Sequence, residues 1–366
     1  MTRPTQASID LSALLGNYRL ACALAPASRN MAVIKADAYG HGALAVARAL
    51  EDQVPAFAVA CVEEAVQLRQ GGIGAPILVL GGAFGSDDLH AAAQHNLWLM
   101  LENERQAQLL ENTELARPIG IWLKADTGMH RLGVDIERAP ALLARLRACA
   151  NRLGDIVLAT HFASADELDN DFTRHQSARL RALAAQVNAP VSLANSPALL
   201  AWPDSHGDWN RPGYMLYGDS PFPVAHPEGD KLIPVMTFGS RVMSVRTLGE
   251  GESVGYGQTW CANRATTIAT VPVGYGDGYP RGAPSGTPVL VNGQRAPLVG
   301  RVSMDLISVD VTGLTGIAAG AEVELWGKNL PVGEVAKAAG TIGYELLARM
   351  PGRVPRIYSG DRFPFR

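Results

Sequence analysis

The sequence predicts an α/β protein: an N-terminal (β/α)8 TIM-like barrel followed by a smaller, mostly-β C-terminal domain. Three observations carry this expectation. Over roughly the first 220 residues, short apolar runs rich in β-formers alternate with Ala/Leu/Arg-rich amphipathic stretches, the pattern of parallel strands joined by helical crossovers. From about Leu232 the helical stretches nearly vanish, and short alternating strands separated by Gly and Pro turns replace them. No glycine-rich fingerprint follows the first strand, which weakens a doubly wound open sheet.

Barrel strands are expected at residues 31–35, 56–61, 77–80, 97–101, 119–124, 156–161 and 190–194. An eighth run, around 209–217, is interrupted by Pro212 and Gly213. Helical patterns lie between them at 43–50, 63–70, 104–110, 139–150 and 171–187. The later strands are expected at 237–247, 266–273, 288–291, 294–299, 306–311 and 322–325. Asn292-Gly293 between two apolar runs is a strong hairpin signal. The Pro-rich segment 221–234 reads as a linker, dividing the chain into residues 1–232 and 233–366.

Composition bounds the function. The chain has 366 residues, of which 47% are hydrophobic and 18% charged, which is globular and not disordered. A net charge of -3 and the lack of any Lys/Arg-rich block argue against nucleic-acid or anionic-membrane partners. Cys22, Cys61, Cys149 and Cys261 form no CxxC pair and read as small buried hydrophobes in a reducing compartment. No metal site is expected. The polar start of the chain lacks a signal-peptide core and no apolar run approaches ~20 residues, so a cytoplasmic soluble protein is expected.

The chemistry sits at the strand ends, where this barrel class carries its active sites. The first strand ends in Lys35, within Ala32-Val33-Ile34-Lys35-Ala36-Asp37-Ala38-Tyr39-Gly40-His41-Gly42. Burying an ammonium costs several kcal/mol unless the site uses it, and burial frees a neutral amine for Schiff-base chemistry. The fifth strand ends in Lys124, ahead of a loop holding Arg131, and the sixth ends in His161. Asn195-Ser196 follows the seventh, and the eighth carries Arg211 before Pro212-Gly213. Five polar strand ends on one rim are hard to explain as solvated caps. A hydroxyl at Ser196 and free backbone N–H groups at Gly213 and Tyr214 suit a phosphate. Lysine plus phosphate pocket suggests pyridoxal 5'-phosphate, although residue chemistry alone also allows an aldolase holding a sugar phosphate.

At these residues the chain resembles the alanine racemases among fold-type III pyridoxal-phosphate enzymes. The matching segments are 32–42, 122–133, 160–166, 195–197, 211–218, 255–257, 273–280, 300–310 and 343–345, in family order and spacing. The resemblance implies that Lys35 carries the cofactor and is the base on one face of the substrate. Tyr256, contributed by the second subunit of a homodimer, is then the base on the other face. It further implies His161 and Arg211 in a hydrogen-bonded chain behind the tyrosine and cofactor ring. Arg211 would face the pyridine nitrogen and, offering only donors, keep it unprotonated. Arg131 would donate to the cofactor's phenolic oxygen, held by a carbamylated Lys124. Cofactor contacts are implied for Tyr39, Asn195, Ser196, Gly213, Tyr214 and Tyr344, with only the backbone role carried over at Tyr214. Arg131, Met304 and Asp305 match the substrate-binding part, and Asp166, Tyr275, Arg281, Arg301, Ile342 and Tyr344 match the access channel. Bulk at Tyr344 and Met304 favours alanine over larger amino acids.

Three rival readings remain at this point. A racemase of serine or lysine shares the fold. A decarboxylase should carry an acid where Arg211 stands, and a cofactor carrier should lack the β domain.

Overall fold

The computed structural model describes residues 3–360. Its first sheet is parallel and closes on itself. The first barrel strand is split at Met31 into Arg29–Asn30 and Ala32–Val33. The first half pairs with Trp209–Asn210 (Trp209 opposite Arg29), and the second pairs with Phe57–Val59 (Ala32 opposite Phe57). Between them run Ile77–Val79, Leu97–Leu101, Ile119–Asp126, Arg152–Ala159 and Val191–Ser192, in chain order around the ring. Strands buried on both faces need continuous apolar runs, and Phe57, Ile77, Leu78, Val79, Leu97 and Leu99 are each 0% exposed.

Helices cover the outside. Leu11–Leu24 and Ser86–His95 join those expected from the periodicity. Asp10 caps the first of them, its carboxylate accepting from Ser12 N at 3.0 Å and Ala13 N at 3.1 Å.

The second sheet has nine strands. From Ser244–Leu248 it runs through Thr266–Val271, Ile307–Asp310, Gln294–Val299, Pro288–Val291, Glu322–Trp326 and Met236–Arg241. It then continues to Gln6–Asp10 and ends on Arg356–Ser359. The expected run 237–247 is therefore two strands, parted by Val242 and Met243. Residues 6–10, grouped with the barrel by a division at 232, hydrogen-bond into this second sheet, with Ala7 opposite both Phe238 and Arg356. Pairing across that sequence separation leaves no local signal, so periodicity could not place it. Asn292-Gly293 makes the expected hairpin, both residues at positive φ. The expected eighth barrel run is only Trp209–Asn210, because Pro212 and Gly213 end it before the 3-10 turn Tyr214–Tyr217.

Two short helices, Val332–Ala338 and Gly343–Ala348, interrupt the β character of the second unit. The latter lies against the turn that follows the first barrel strand. A Cβ on Gly40 would fall 2.1 Å from Leu347 O, so that contact requires glycine.

His41 in this turn is fully buried. Its Nδ1 faces two carbonyls, Tyr39 O at 2.8 Å and Ala38 O at 3.1 Å, so Nδ1 carries the hydrogen. Its Nε2 has no partner among the described residues. Burial depresses its pKa to about 4, whereas the unfolded chain protonates near 6.5. The unfolded state therefore binds the extra proton first. Stability from neutral His41 is complete above pH 6.5 and falls by about 3 kcal/mol as pH drops to 4. Urea denaturation of wild type and His41→Phe at pH 7.5 and 4.5 checks this. The variant should lose less stability on acidification, and equal losses would contradict the assignment.

Candidate active site

A cavity of about 490 Å³ opens at the C-terminal mouth of the barrel. Most of the strand-end residues expected from the sequence line it: Lys35, Tyr39, Lys124, Arg131, His161, Asn195, Ser196, Arg211, Gly213, Tyr214 and Tyr344. Tyr344 arrives from the helix Gly343–Ala348 of the second unit.

Lys35 opens a turn with unusual backbone geometry. Ala36, Asp37, Ala38 and Tyr39 all have φ between 50° and 53°, a left-handed turn of four non-glycine residues. Such a conformation costs roughly 1–2 kcal/mol per residue. The turn is pinned on both sides. Glu64 accepts from Ala36 N and Ala60 N, both at 2.7 Å, and Asp37 accepts from Ala43 N at 2.7 Å. Strain that is so heavily held marks a place where side-chain direction matters. Burial lowers the Lys35 pKa, and the nearby Arg131 and Lys124 lower it further, against the opposing pull of Glu64. Each of these lowering influences favours the neutral amine over the ammonium.

Arg211 is buried and donates to Ser192 Oγ and to the carbonyls of Thr160 and Leu193, the last at 3.3 Å. Burial lowers its pKa only to about 10, so it remains a cation at neutral pH. His161 titrates far below its ordinary range, first through burial and then through Arg211, Lys124, Arg131 and Lys35. It is a neutral imidazole among cations.

Across the mouth, Ser196 Oγ accepts from Gly213 N at 3.0 Å and Met215 N at 3.2 Å, tying the seventh and eighth loops together. Asn195 accepts from Ala198 N at 3.3 Å, so its side chain caps the following turn. The Tyr39 hydroxyl lies 2.9 Å from where a Cβ on Gly213 would stand, and burial raises its pKa to about 12, keeping it a donor. Tyr214 departs from the backbone-only role. Its ring stacks on Tyr344 with centroids 3.6 Å apart and planes 8° off parallel, and its hydroxyl donates to Asp219.

The remaining expected residues stand elsewhere. Tyr256 (70% exposed), Met304, Tyr275 and Ile342 are surface residues, as are Asp305, Arg301, Arg281 and Asp166. Hydrogen bonds from Tyr275 N to Ser303 O at 3.0 Å and from Gly276 N to Met304 O at 2.9 Å bring the 275 and 304 loops together. Asp305 pairs with Arg353 at 2.7 Å. Tyr256, Met304 and Asp305 do not line the Lys35 cavity of their own chain.

Sequence reasoning missed Glu102, Thr160 and Glu64. Glu102 follows the fourth barrel strand directly, so the strand-end rule that found Lys35 and Lys124 would have found it. Thr160 acts through its backbone carbonyl and leaves no side-chain signal.

Comparison with known proteins decides the family. Residues 9–221 match the description "Alanine racemase, N-terminal domain", and residues 235–358 match "Alanine racemase, C-terminal domain". The chain belongs to the alanine racemase family. Among its relatives, an alanine racemase of Chromohalobacter salexigens is 51% identical over 358 residues, covering 98% of both chains. A catabolic alanine racemase of Pseudomonas putida is 50% identical over 359 residues, covering 98% of this chain and 100% of the relative. The solved biosynthetic alanine racemase of Pseudomonas aeruginosa superposes with a TM-score of 0.95 at 46% identity, covering 98% and 100% of the two chains.

Members of the alanine racemase family are amino-acid racemases, a class of isomerase, and depend on pyridoxal 5'-phosphate. The residues present fit that group. A lysine of lowered pKa stands in a cavity with a buried arginine. The opposite wall offers hydroxyls and a backbone that approaches closely only because Gly213 lacks a Cβ. Among the described residues no cluster could hold a metal ion, and no helix is long and apolar enough to cross a membrane.

Proposed function

We propose that the chain interconverts L- and D-alanine by moving the α-proton between two bases on opposite faces of the substrate. Lys35 Nζ serves one face, and Tyr256 Oη of a second subunit serves the other. One observation carries the shared site: Tyr256 is 70% exposed and lies outside the Lys35 cavity of its own chain. It shares the surface of the second unit with exposed Tyr275, Met304 and Ile342. Large apolar side chains left exposed on a single chain are what a homodimer contact would cover.

In this reading the unit 1–232, apart from the strand Gln6–Asp10, is the cofactor-binding barrel, and 233–366 supply the partner's second base. Lys35 would carry the cofactor. Tyr39, Ser196, Tyr344 and the backbone at Gly213 and Tyr214 would hold its phosphate, with Asn195 supporting the same loop. Arg211 would face the ring nitrogen as a donor, and His161 would extend that chain. Pyridoxal 5'-phosphate, when bound, draws electrons from the substrate's α-carbon and so weakens its C–H bond. An arginine donor limits that withdrawal, which favours return of the proton to the α-carbon. Arg131, with the partner's 304–305 loop, would hold the substrate. Asp166, Tyr275, Arg281, Arg301, Ile342 and Tyr344 would line the approach.

Met304 and Tyr344 favour a methyl side chain. A pocket discriminates by only about 1–3 kcal/mol per methylene, so serine should react slowly. The activity is placed in the cytoplasm, supplying D-alanine for peptidoglycan or feeding alanine catabolism. Proton NMR of L-alanine, L-serine and L-lysine in heavy water, with chiral analysis of products, tests the reading. The expected result is loss of the alanine α-proton with D-alanine appearing. Exchange without inversion would remove the second base, and faster inversion of lysine or serine would move the chain to a broader-specificity racemase.

A further inference from the structure

The two-base reading uses only the backbone of Tyr214, yet its side chain is held at both ends. The residue is 2% exposed and opens the 3-10 turn Tyr214–Tyr217. Gly213 N and Met215 N, on either side of it, both donate to Ser196 Oγ, so the base of the side chain is fixed. At the far end, Gly218 reverses the chain at a φ of 86°, and Asp219 accepts from the Tyr214 hydroxyl. A buried hydroxyl needs such a partner. Burial and then Asp219 raise the Tyr214 pKa, which keeps the phenol a donor. A Cβ on Gly343 would collide with this hydroxyl, so the helix Gly343–Ala348 sits against the Tyr214–Asp219 pair only because it begins with glycine.

Tyr344, the next residue of that helix, lays its ring flat on the Tyr214 ring and lines the cavity that holds Lys35. Tyr39 borders it with centroids 6.4 Å apart and planes at 53°. No described residue hydrogen-bonds the Tyr344 hydroxyl, so within the chain its ring is placed by these ring contacts. We propose that Tyr214, clamped by Asp219, is a positioning residue that sets the substrate range: it holds the Tyr344 ring in place and so closes the site to amino acids one methylene larger than alanine. The proposal rests on reading this cavity as the alanine site, but not on the identity of the second base.

A ring packed against flexible side chains can tilt and make room for a longer substrate. A ring stacked on a side chain fixed at both ends tilts only by breaking the stack or the Tyr214–Asp219 hydrogen bond. Tyr214→Leu removes both the flat face and the hydroxyl. Tyr214→Phe keeps the face and loses the anchor, and Asp219→Ala removes the anchor's acceptor alone.

The test compares kcat/KM for racemisation of L-alanine and of L-2-aminobutyrate, which is alanine with one more methylene, at saturating cofactor. In Tyr214→Leu the ratio of 2-aminobutyrate to alanine should rise about tenfold over wild type. Tyr214→Phe should stay closer to the wild-type ratio, because it restores the stack. Tyr344→Ala should raise the ratio by itself, and adding Tyr214→Leu to it should change the ratio no further, since Tyr214 acts through Tyr344. A wild-type ratio in folded Tyr214→Leu would overturn the proposal. So would a further rise of the same size in the Tyr344→Ala background, which would mean that Tyr214 acts independently. Should Tyr214→Leu not fold, Asp219→Ala decides by the same ratio, which should rise and which overturns the proposal if it does not. Wild type that fails to racemise alanine would sink the functional reading itself, whereas wild type that is active with an unchanged ratio in the variants sinks this proposal alone.

Discussion

Lys35→Ala is expected to abolish both racemisation and the visible absorption of lysine-bound cofactor. The expectation follows from the depressed pKa of Lys35 in the cavity and from the backbone that presents it. Four left-handed residues follow this lysine, held by Glu64 and Asp37, and they fix the backbone from which Lys35 and Tyr39 enter the cavity. The loss should be a loss of site chemistry and not of fold, because Lys35 makes no ion pair among the described residues. Absorption spectra and thermal melts of the purified variant check both points. A variant that keeps full colour and activity would remove Lys35 from the mechanism.

Tyr256→Phe should lose α-proton exchange by about 10²–10⁴-fold for one enantiomer of alanine, with a much smaller effect on the other. A single fixed base cannot readily take a proton from one face and return it to the opposite one. Removing the tyrosine hydroxyl therefore disables one direction of abstraction and leaves Lys35 to exchange the other enantiomer. Because Tyr256 is 70% exposed in the single chain, the substitution removes no buried hydrogen bond and should leave the fold intact. Deuterium uptake from heavy water into L- and D-alanine, measured separately, reads the asymmetry. Equal losses for both enantiomers would contradict the assignment of one base to each face.

Much of the cavity lining is legible in the sequence. Lys35, Lys124, His161 and Arg211 were readable because apolar runs ending in a charged or titratable residue are costly unless the site uses the group. The barrel followed from the same runs. Three features were not legible, each for a physical reason. The strand Gln6–Asp10 pairs with residues more than two hundred positions away, and local periodicity carries no such information. The left-handed turn is built from Ala-Asp-Ala-Tyr, whose own preferences are right-handed. Hydrogen bonds accepted by Glu64 from outside the turn, and by Asp37 from Ala43 N, hold it. The Tyr214 ring meets Tyr344 only across the two units, because the helix Gly343–Ala348 comes from the second one. Tyr256 is a further kind of case. Between two glycines its flanks suggest only a turn, and family resemblance, not residue chemistry, singled it out.

The shared two-base site is tested most directly by mixing the two variants. Purified Lys35→Ala and Tyr256→Phe proteins are unfolded together, refolded with cofactor at equal concentration, and assayed for alanine racemisation. In a mixed dimer one site pairs the intact Lys35 of one subunit with the intact Tyr256 of the other, and the second site lacks both. Random pairing then restores about a quarter of the wild-type activity, although each variant refolded alone is inactive. If Tyr256 serves the site of its own chain, every site in the mixture lacks one base. Activity would then stay at the level of the separate variants, contradicting a site shared between subunits.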